Sequence, residues 1–291
     1  MENGGQTRVW RCGSRRLSLG ERPLVMGVVN VTPDSFSDGG RWLEPEAAVA
    51  HGLRLEAEGA DLLDIGGEST RPGAAPVGES EEAGRILPVI RALAAQAKVP
   101  LSVDTRHAAV ARQAVAAGAC IVNDVMPFAG DAAMARVVRE TGAGAVLMHM
   151  RGTPQTMAQC AAYGDVAAEV ERALAEALDY AASQGIAREC LVIDPGVGFA
   201  KNTEQNVAVL RDVARLTRLA PVLAGVSRKR FIGELCGEAA PGERLGGSVG
   251  AAVWCALQGV SVLRVHDVKA TRQALAVVGA LAKGKVAASH V

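Results

Sequence analysis

Asn30, Asp64, Asp104, Asn123, His149, Asp194, Ser227 and the pair Arg264 and His266 each follow a short apolar run. One acid at such a place reads as the cap of a following helix. The same placement repeated at eight runs reads instead as one polar site, because parallel strands bring their carboxyl ends to a common rim. The residues divide into two chemical groups. Asp104, Asn123 and Asp194 offer acceptors plus one amide that both donates and accepts. That set suits the edge of a ring carrying an exocyclic amine and a ring N–H, such as a guanine-like or pterin edge. The competing reading pairs these acids with Arg or Lys and lets them only hold the rim together. The second group is cationic: Arg71, Arg228, Lys229, Arg230, Arg264 and His266. The run Ser227-Arg228-Lys229-Arg230 opens a helix, where cations oppose the macrodipole unless something negative sits nearby. His266 stands beside another helix start, and free N–H groups there favour phosphate. Lys229 and Arg264 are read as functional; for Arg228 and Arg230 a solvated charge run stays an equal alternative. No Ser-His-Asp or Cys-His pair is spaced for nucleophilic catalysis.

These residues need elements that align them. Apolar runs recur at Leu24–Val29, Leu62–Ile65, Leu101–Val103, Cys120–Val122, Ala145–Met148, Leu191–Ile193, Pro221–Gly225 and Ser261–Val265. Most are continuous rather than alternating, as expected of parallel strands covered on both faces. Amphipathic stretches lie between them. Pro45 suits a first helical position and Gly59 a helix end. Asp131 can cap AAMARVVRET and Gly142 can stop it; Asn202 with Gln205 resembles a capping box; Asp267 can cap VKATRQALAVVGALAK. Eight alternating units predict an α/β fold, a single (β/α)8 TIM barrel over residues 23–285. A doubly wound sheet is the alternative, but it would show a glycine-rich turn after the first strand. Residues 1–22 precede the barrel, with Thr7–Leu19 expected as a β-hairpin beneath it, and 286–291 form a tail. Two long βα loops, Val31–Trp42 and Gly66–Gly78, exceed the usual two to six residues and read as lids or substrate loops.

Composition narrows the partners. The chain has 291 residues, 49% of them hydrophobic, enough to bury a large core. With 31 basic against 31 acidic residues there is no excess that would mark a nucleic-acid surface, so anions must be met by a local cluster. Six scattered cysteines without metal spacing read as reduced thiols. The N-terminus lacks a signal-peptide core, and no apolar run approaches the roughly 20 residues of a membrane span. A cytoplasmic location follows, with no membrane and no nucleic acid among the partners.

Eight segments then become specific: MGVVNVTPDSFSDGG (26–40), DIGGESTRPGA (64–74), SVDT (102–105), NDV (123–125), MHMRGTPQTM (148–157), DPGVGFAKN (194–202), GVSRKRFIG (225–233) and RVHDV (264–268). Together and in this order they resemble the dihydropteroate synthase family, over about Leu24 to Val268. The resemblance implies condensation of 6-hydroxymethyl-7,8-dihydropterin diphosphate with p-aminobenzoate, giving 7,8-dihydropteroate and pyrophosphate. It implies that Asp104, Asn123, Asp194 and Lys229 hold the pterin, with Met148 packing nearby and Asp64 ordering the site. Asn30, Thr70, Arg71, Arg264 and His266 would meet the diphosphate, and Asn30 would also ligate Mg²⁺. Thr70, Arg71, Pro72, Phe199, Ser227 and Lys229 would shape the p-aminobenzoate pocket. Lys229, Arg264, His266 and Asp104 would carry the chemistry. A homodimer is implied, to which SVGAAVWCAL (248–257) contributes either contact or core, and sulfonamides would compete with p-aminobenzoate. Arg230 departs from the Ser of many relatives. Two alternatives are a methyltetrahydrofolate:corrinoid methyltransferase, which shares the pterin pocket but needs no diphosphate site, and a paralogue that binds pterin without turnover.

Overall fold

The computed structural model describes residues 8–32, 40–68, 76–126, 128, 130–238 and 240–283. A two-stranded antiparallel hairpin comes first, β1 (Arg8–Cys12) and β2 (Arg15–Leu19). Strand and helix then alternate: β3 (Leu24–Asn30), α1 (Gly40–Ala57), β4 (Leu62–Gly66), α2 (Glu79–Gln96), β5 (Leu101–Asp104), α3 (Ala108–Ala116), β6 (Ile121–Asp124), α4 (Met134–Thr141), β7 (Gly144–Met148) and α5 (Val166–Ser183). The second half continues with β8 (Leu191–Asp194), α6 (Thr203–Arg211), β9 (Leu223–Ala224), α7 (Arg230–Cys236), α8 (Leu245–Leu257), β10 (Val262–Val265) and α9 (Val268–Lys283).

The eight strands of the large sheet are all parallel, in the order β8-β7-β6-β5-β4-β3-β10-β9. A parallel bridge between Ile193 and Val222 brings the two ends together, so the sheet curls into a nearly closed barrel. All eight apolar runs are strands, because each is buried on both faces: by helices outside and by side chains from opposite strands inside. The outer core runs between strands and helices and includes Val25, Leu63, Ile65, Val103, Leu147 and Ile193.

The lower lumen is filled by Met26, Leu62, Ile121, Val146, Val192, Leu223 and Val262, and the hairpin plugs it from below with Trp10 and Leu19. Trp10 donates its indole N–H to the Cys190 carbonyl at 2.9 Å, so its one polar atom is satisfied in a buried place. The plug fits only because residue 144 is glycine. A Cβ there would lie 2.6 Å from Cys12 Sγ and 2.9 Å from Trp10 Nε1.

Several helix ends differ from expectation. α1 starts at Gly40, so Pro45 lies inside it and the first loop ends at 39, not at Trp42. Asp131 does not cap α4, which starts at Met134; its carboxylate accepts from Ala133 N and from Ala108 N, each at 2.9 Å, stitching α3 to the turn before α4. Gly142 does end α4 in the left-handed region, and Asn202 with Gln205 forms the capping box of α6. No helix among the described residues is long and apolar enough to cross a membrane.

Candidate active site

Side chains alternate along a strand, so residues two positions above the apolar floor must also face the lumen. Above Leu62 stands Asp64, above Ile121 Asn123, above Val146 Met148, above Val192 Asp194 and above Val262 Arg264. Asp104 joins them from β5, its backbone in register with Asn123. Asp124, one residue off this parity, turns away and accepts from Met126 N and Phe128 N at 2.8 and 2.9 Å. A single step of strand periodicity therefore separates hydrophobic floor from polar site.

Arg264 is the centre of that site. Its Nε donates to Asp64 Oδ2 at 2.6 Å and its Nη2 to Asp104 Oδ2 at 2.8 Å. Asn123 Nδ2 donates to the same Asp64 oxygen at 3.0 Å. Burial works against the Arg264 cation, but the two carboxylates more than offset it and hold its pKa above the usual value. Asp104 feels burial most; Arg264 opposes that effect, and the nearby Asp64 and Asp124 reinforce it, leaving the carboxyl raised to about 7. Asp194 is also raised by burial, although the Gly196 N–H donates to its Oδ1 at 2.7 Å. Of the set Asp104, Asn123 and Asp194, the rim-pairing alternative is thus met by Asp104, which Arg264 also ties to Asp64, yet it does not exhaust the site. Asp64 is fully buried and its Oδ1 has no hydrogen-bond partner among the described residues, leaving an acceptor unused within the lattice.

The cations are less alike than their sequence suggests. Lys229 extends over the Phe199 ring, 4.4 Å from its centroid. Burial lowers its pKa to about 8, against the pull of Asp194. His266 is held neutral: burial, then the charges of Arg264 and Arg228, push it down to about 3. It is a neutral imidazole whose Nδ1 lies 3.1 Å from Ser227 Oγ. Arg230 is exposed and turned to Glu234, 3.1 Å from Nε to Oε1, while Thr203 bonds the same carboxylate. That is the solvated alternative. Arg228, partly exposed, pairs with Asp267 across the neighbouring loop. Asp267, expected as a cap of α9, thus spends its carboxylate on Arg228.

Phe199 and Met148 belong to a small apolar cluster with Val125, Met157 and Ala200 at the upper end of the barrel, beside the polar rim. The loop holding Phe199 is fixed by a residue that motif reading did not single out. Lys201, 5% exposed, donates to the carbonyls of Gly196 and Phe199, each at 3.0 Å, and lies 2.9 Å from His149 Nδ1. Burial brings Lys201 down to about 7, and burial with the Lys201 charge brings His149 to about 3. The loop also requires glycine at 196, whose φ is +67° and whose Cβ would lie 1.9 Å from the His149 carbonyl oxygen. Glu82 of α2 was likewise missed: fully buried, raised by desolvation to about 7, it accepts from Thr105 Oγ1 at 3.1 Å. A charged residue inside a helix carries no sign of its burial, so only the fold exposes it.

Asn30 ends β3, half-buried, two positions above Val28. Thr70, Arg71 and Pro72 lie outside the described residues. At the base of their loop, the Val77 N–H donates to Glu68 Oε1 at 3.1 Å and Arg106 pairs with the same carboxylate. No cluster of three acidic, His or Cys ligands occurs among the described residues. The upper lumen therefore offers buried acceptors and a guanidinium together, with Lys229, the neutral His266 and Phe199 around them: one half for a polar ring, one for an anion.

Residues 26–266 match the model of the pterin binding enzyme family. A curated dihydropteroate synthase of Escherichia coli strain K12 is 45% identical over 264 residues, 90% of this chain and 93% of that protein. A solved dihydropteroate synthase of Xanthomonas albilineans with 4-aminobenzoic acid superposes with a TM-score of 0.90 at 51% identity, covering 95% of this chain and 99% of that one. A second structure from that organism, in complex with 7,8-dihydropteroate, has a TM-score of 0.86 at 50% identity over 94% and 98% of the two chains.

Proposed function

The chain belongs to the pterin binding enzyme family, and on that premise we propose that it condenses 6-hydroxymethyl-7,8-dihydropterin diphosphate with p-aminobenzoate to give 7,8-dihydropteroate and pyrophosphate. The observation that carries the reading is the buried Asp64–Arg264–Asp104 lattice with its unsatisfied Asp64 oxygen. Asp104, Asn123 and Asp194 receive the N–H donors of the pterin, Lys229 closes the opposite side of the ring, and Met148 packs beneath it. Arg264, His266 and Asn30 face the diphosphate.

Chemistry follows from where charge develops. The bond between the pterin methylene and the diphosphate oxygen breaks, and its electron pair leaves with pyrophosphate. Arg264 meets that charge directly, and the neutral His266 offers an N–H. The carboxylates of Asp64, Asp104 and Asp194 favour the positive charge that the pterin acquires. The p-aminobenzoate nitrogen then forms the C–N bond with its lone pair and releases a proton to solvent. An arylamine needs no activating base, consistent with the lack of a nucleophile pair in the sequence. The residues fit a magnesium ion that arrives with the diphosphate, since a single hard amide oxygen, Asn30, suits a cation that keeps most of its waters. When bound, Mg²⁺ would neutralise leaving-group charge. Phe199, Ser227 and Lys229, with Thr70, Arg71 and Pro72 of the second loop, shape the place for p-aminobenzoate, and sulfonamides compete there because they present the same aniline. Free cysteines fit a reducing, cytoplasmic setting, and a homodimer is the assembly we favour.

The test is pyrophosphate release from the pterin diphosphate with Mg²⁺, with and without p-aminobenzoate. Release that depends on p-aminobenzoate and yields dihydropteroate is the expected outcome. Retained pterin binding with no dihydropteroate would sink the synthase reading and leave a binding paralogue.

A further inference from the structure

Lys229 and His266 reach the barrel mouth on different loops, and a residue outside the chemistry joins those loops. Arg228 has φ +58°, the left-handed region that disfavours any residue bearing a Cβ. It is held there from every side. Its N–H donates to Ser248 Oγ at 2.9 Å, and its carbonyl accepts from Arg244 Nη1 at 3.0 Å. Its guanidinium meets Asp267 with two prongs, Nε to Oδ2 at 3.0 Å and Nη2 to Oδ1 at 2.6 Å. One residue earlier, Ser227 Oγ accepts from the His266 N–H at 3.2 Å and touches its ring. The segments 227–229 and 264–267 are therefore laced by two consecutive rungs, Ser227 to His266 and Arg228 to Asp267.

We propose that Arg228 and Asp267 are positioning residues, a clasp that fixes Lys229 and His266 relative to one another so that ring and diphosphate are met in one geometry. Glycine would adopt this backbone without steric cost. Arginine stands here instead, and what its side chain visibly does is grip both oxygens of Asp267, a match that a planar fork makes and an ammonium does not. The strained turn also reverses the chain just before Lys229, sending Lys229 toward Phe199 while Arg228 points to α9. The proposal rests on the reading of the mouth as a pterin diphosphate site.

Arg228→Gly is the decisive variant, since it keeps the backbone conformation and removes only the fork. KM for pterin diphosphate and the affinity for inorganic pyrophosphate with Mg²⁺, read by calorimetry, are expected to worsen by about tenfold, with the melting temperature moved by only a few degrees. Asp267→Asn should cause a similar loss in the wild type and almost none in the Arg228→Gly background, because the pair acts as one unit. Arg228→Lys should fall between. Wild-type KM and pyrophosphate affinity in Arg228→Gly would overturn the clasp, and so would full additivity of the two substitutions. Pyrophosphate binding is read without turnover, so a failed clasp is distinguishable from a failed synthase reading, which wild-type enzyme making no dihydropteroate would reveal.

Discussion

Asp104 and Lys229 both carry pKa values displaced toward neutrality, one upward to about 7 and the other downward to about 8, each because burial disfavours its charge. In the proposed function, pterin recognition uses the carboxylate of the first and the ammonium of the second. Protonation of Asp104 removes an acceptor as pH falls through about 7, and loss of the Lys229 proton removes a donor as pH rises through about 8. The expected kcat/KM for pterin diphosphate is a narrow bell between those limbs, reporting groups of the free enzyme. A flat profile from pH 6 to 9 would contradict the assignment. The same two shifts act on stability in opposite senses. Asp104 binds its proton more tightly folded than unfolded, so its contribution falls as pH rises from the usual carboxylate range to about 7. Lys229 holds its proton less tightly folded, so its contribution grows as pH rises past about 8. At this scale the sequence showed which residue types gather but not how they pair. Nothing in the run Ser-Arg-Lys-Arg distinguishes Arg228, paired with Asp267, from the solvated Arg230; the difference is that Arg228 sits in a left-handed turn and Arg230 opens α7.

Elements were legible because their signals are local. Eight apolar runs became eight strands, since a continuous apolar strand needs both faces covered, as the helices and the filled lumen of this barrel cover them. Boundaries shifted where tertiary contacts outweigh local preference, as with Pro45 inside α1 and Asp131 recruited to join α3 to the turn before α4. The hairpin was legible as an element, but its depth was not: nothing in RVWRC says that Trp10 fills the barrel floor while Arg8 is exposed. That floor lies at the amino ends of the strands, far from the polar rim, where residues serve stability rather than chemistry. Trp10→Ala should therefore cost about 3–5 kcal/mol in urea unfolding, the usual penalty for emptying a buried aromatic site. Dihydropteroate formation at 25 °C should stay within about twofold on the folded fraction. A large fall in kcat without loss of stability would show that the plug shapes the mouth after all.

At the scale of the whole molecule, the large apolar side chains left exposed concentrate on α7, α8 and α9 among the described residues. Among the described residues, Leu235, Leu245, Trp254, Leu257, Val277 and Leu281 are exposed, and all six lie on α7, α8 or α9. The other large exposed apolar residues, Tyr180 and Val207, stand apart on α5 and α6. Within the stretch 248–257, Ala252 and Cys255 are buried, as core, while Trp254 is 43% and Leu257 57% exposed. Single exposed apolar residues are ordinary, but six on three successive helices are a reason to look for a contact there. A second copy of the same face is the simplest cover, because a two-fold contact needs only one self-complementary patch. Sedimentation should then show a species of twice the 30.0 kDa chain mass. Leu257→Glu combined with Leu281→Glu should convert it to monomer, since burying unpaired charge in a contact of about 1,200–2,000 Å² is prohibitive. The monomer should keep turnover per chain within a few-fold, because the Asp64–Arg264–Asp104 lattice closes within the chain's own barrel. A wild-type monomer would remove the dimer, and a dissociated variant that folds normally but no longer turns over would show that the partner orders the site across α8 and α9, including the Asp267 side of the clasp.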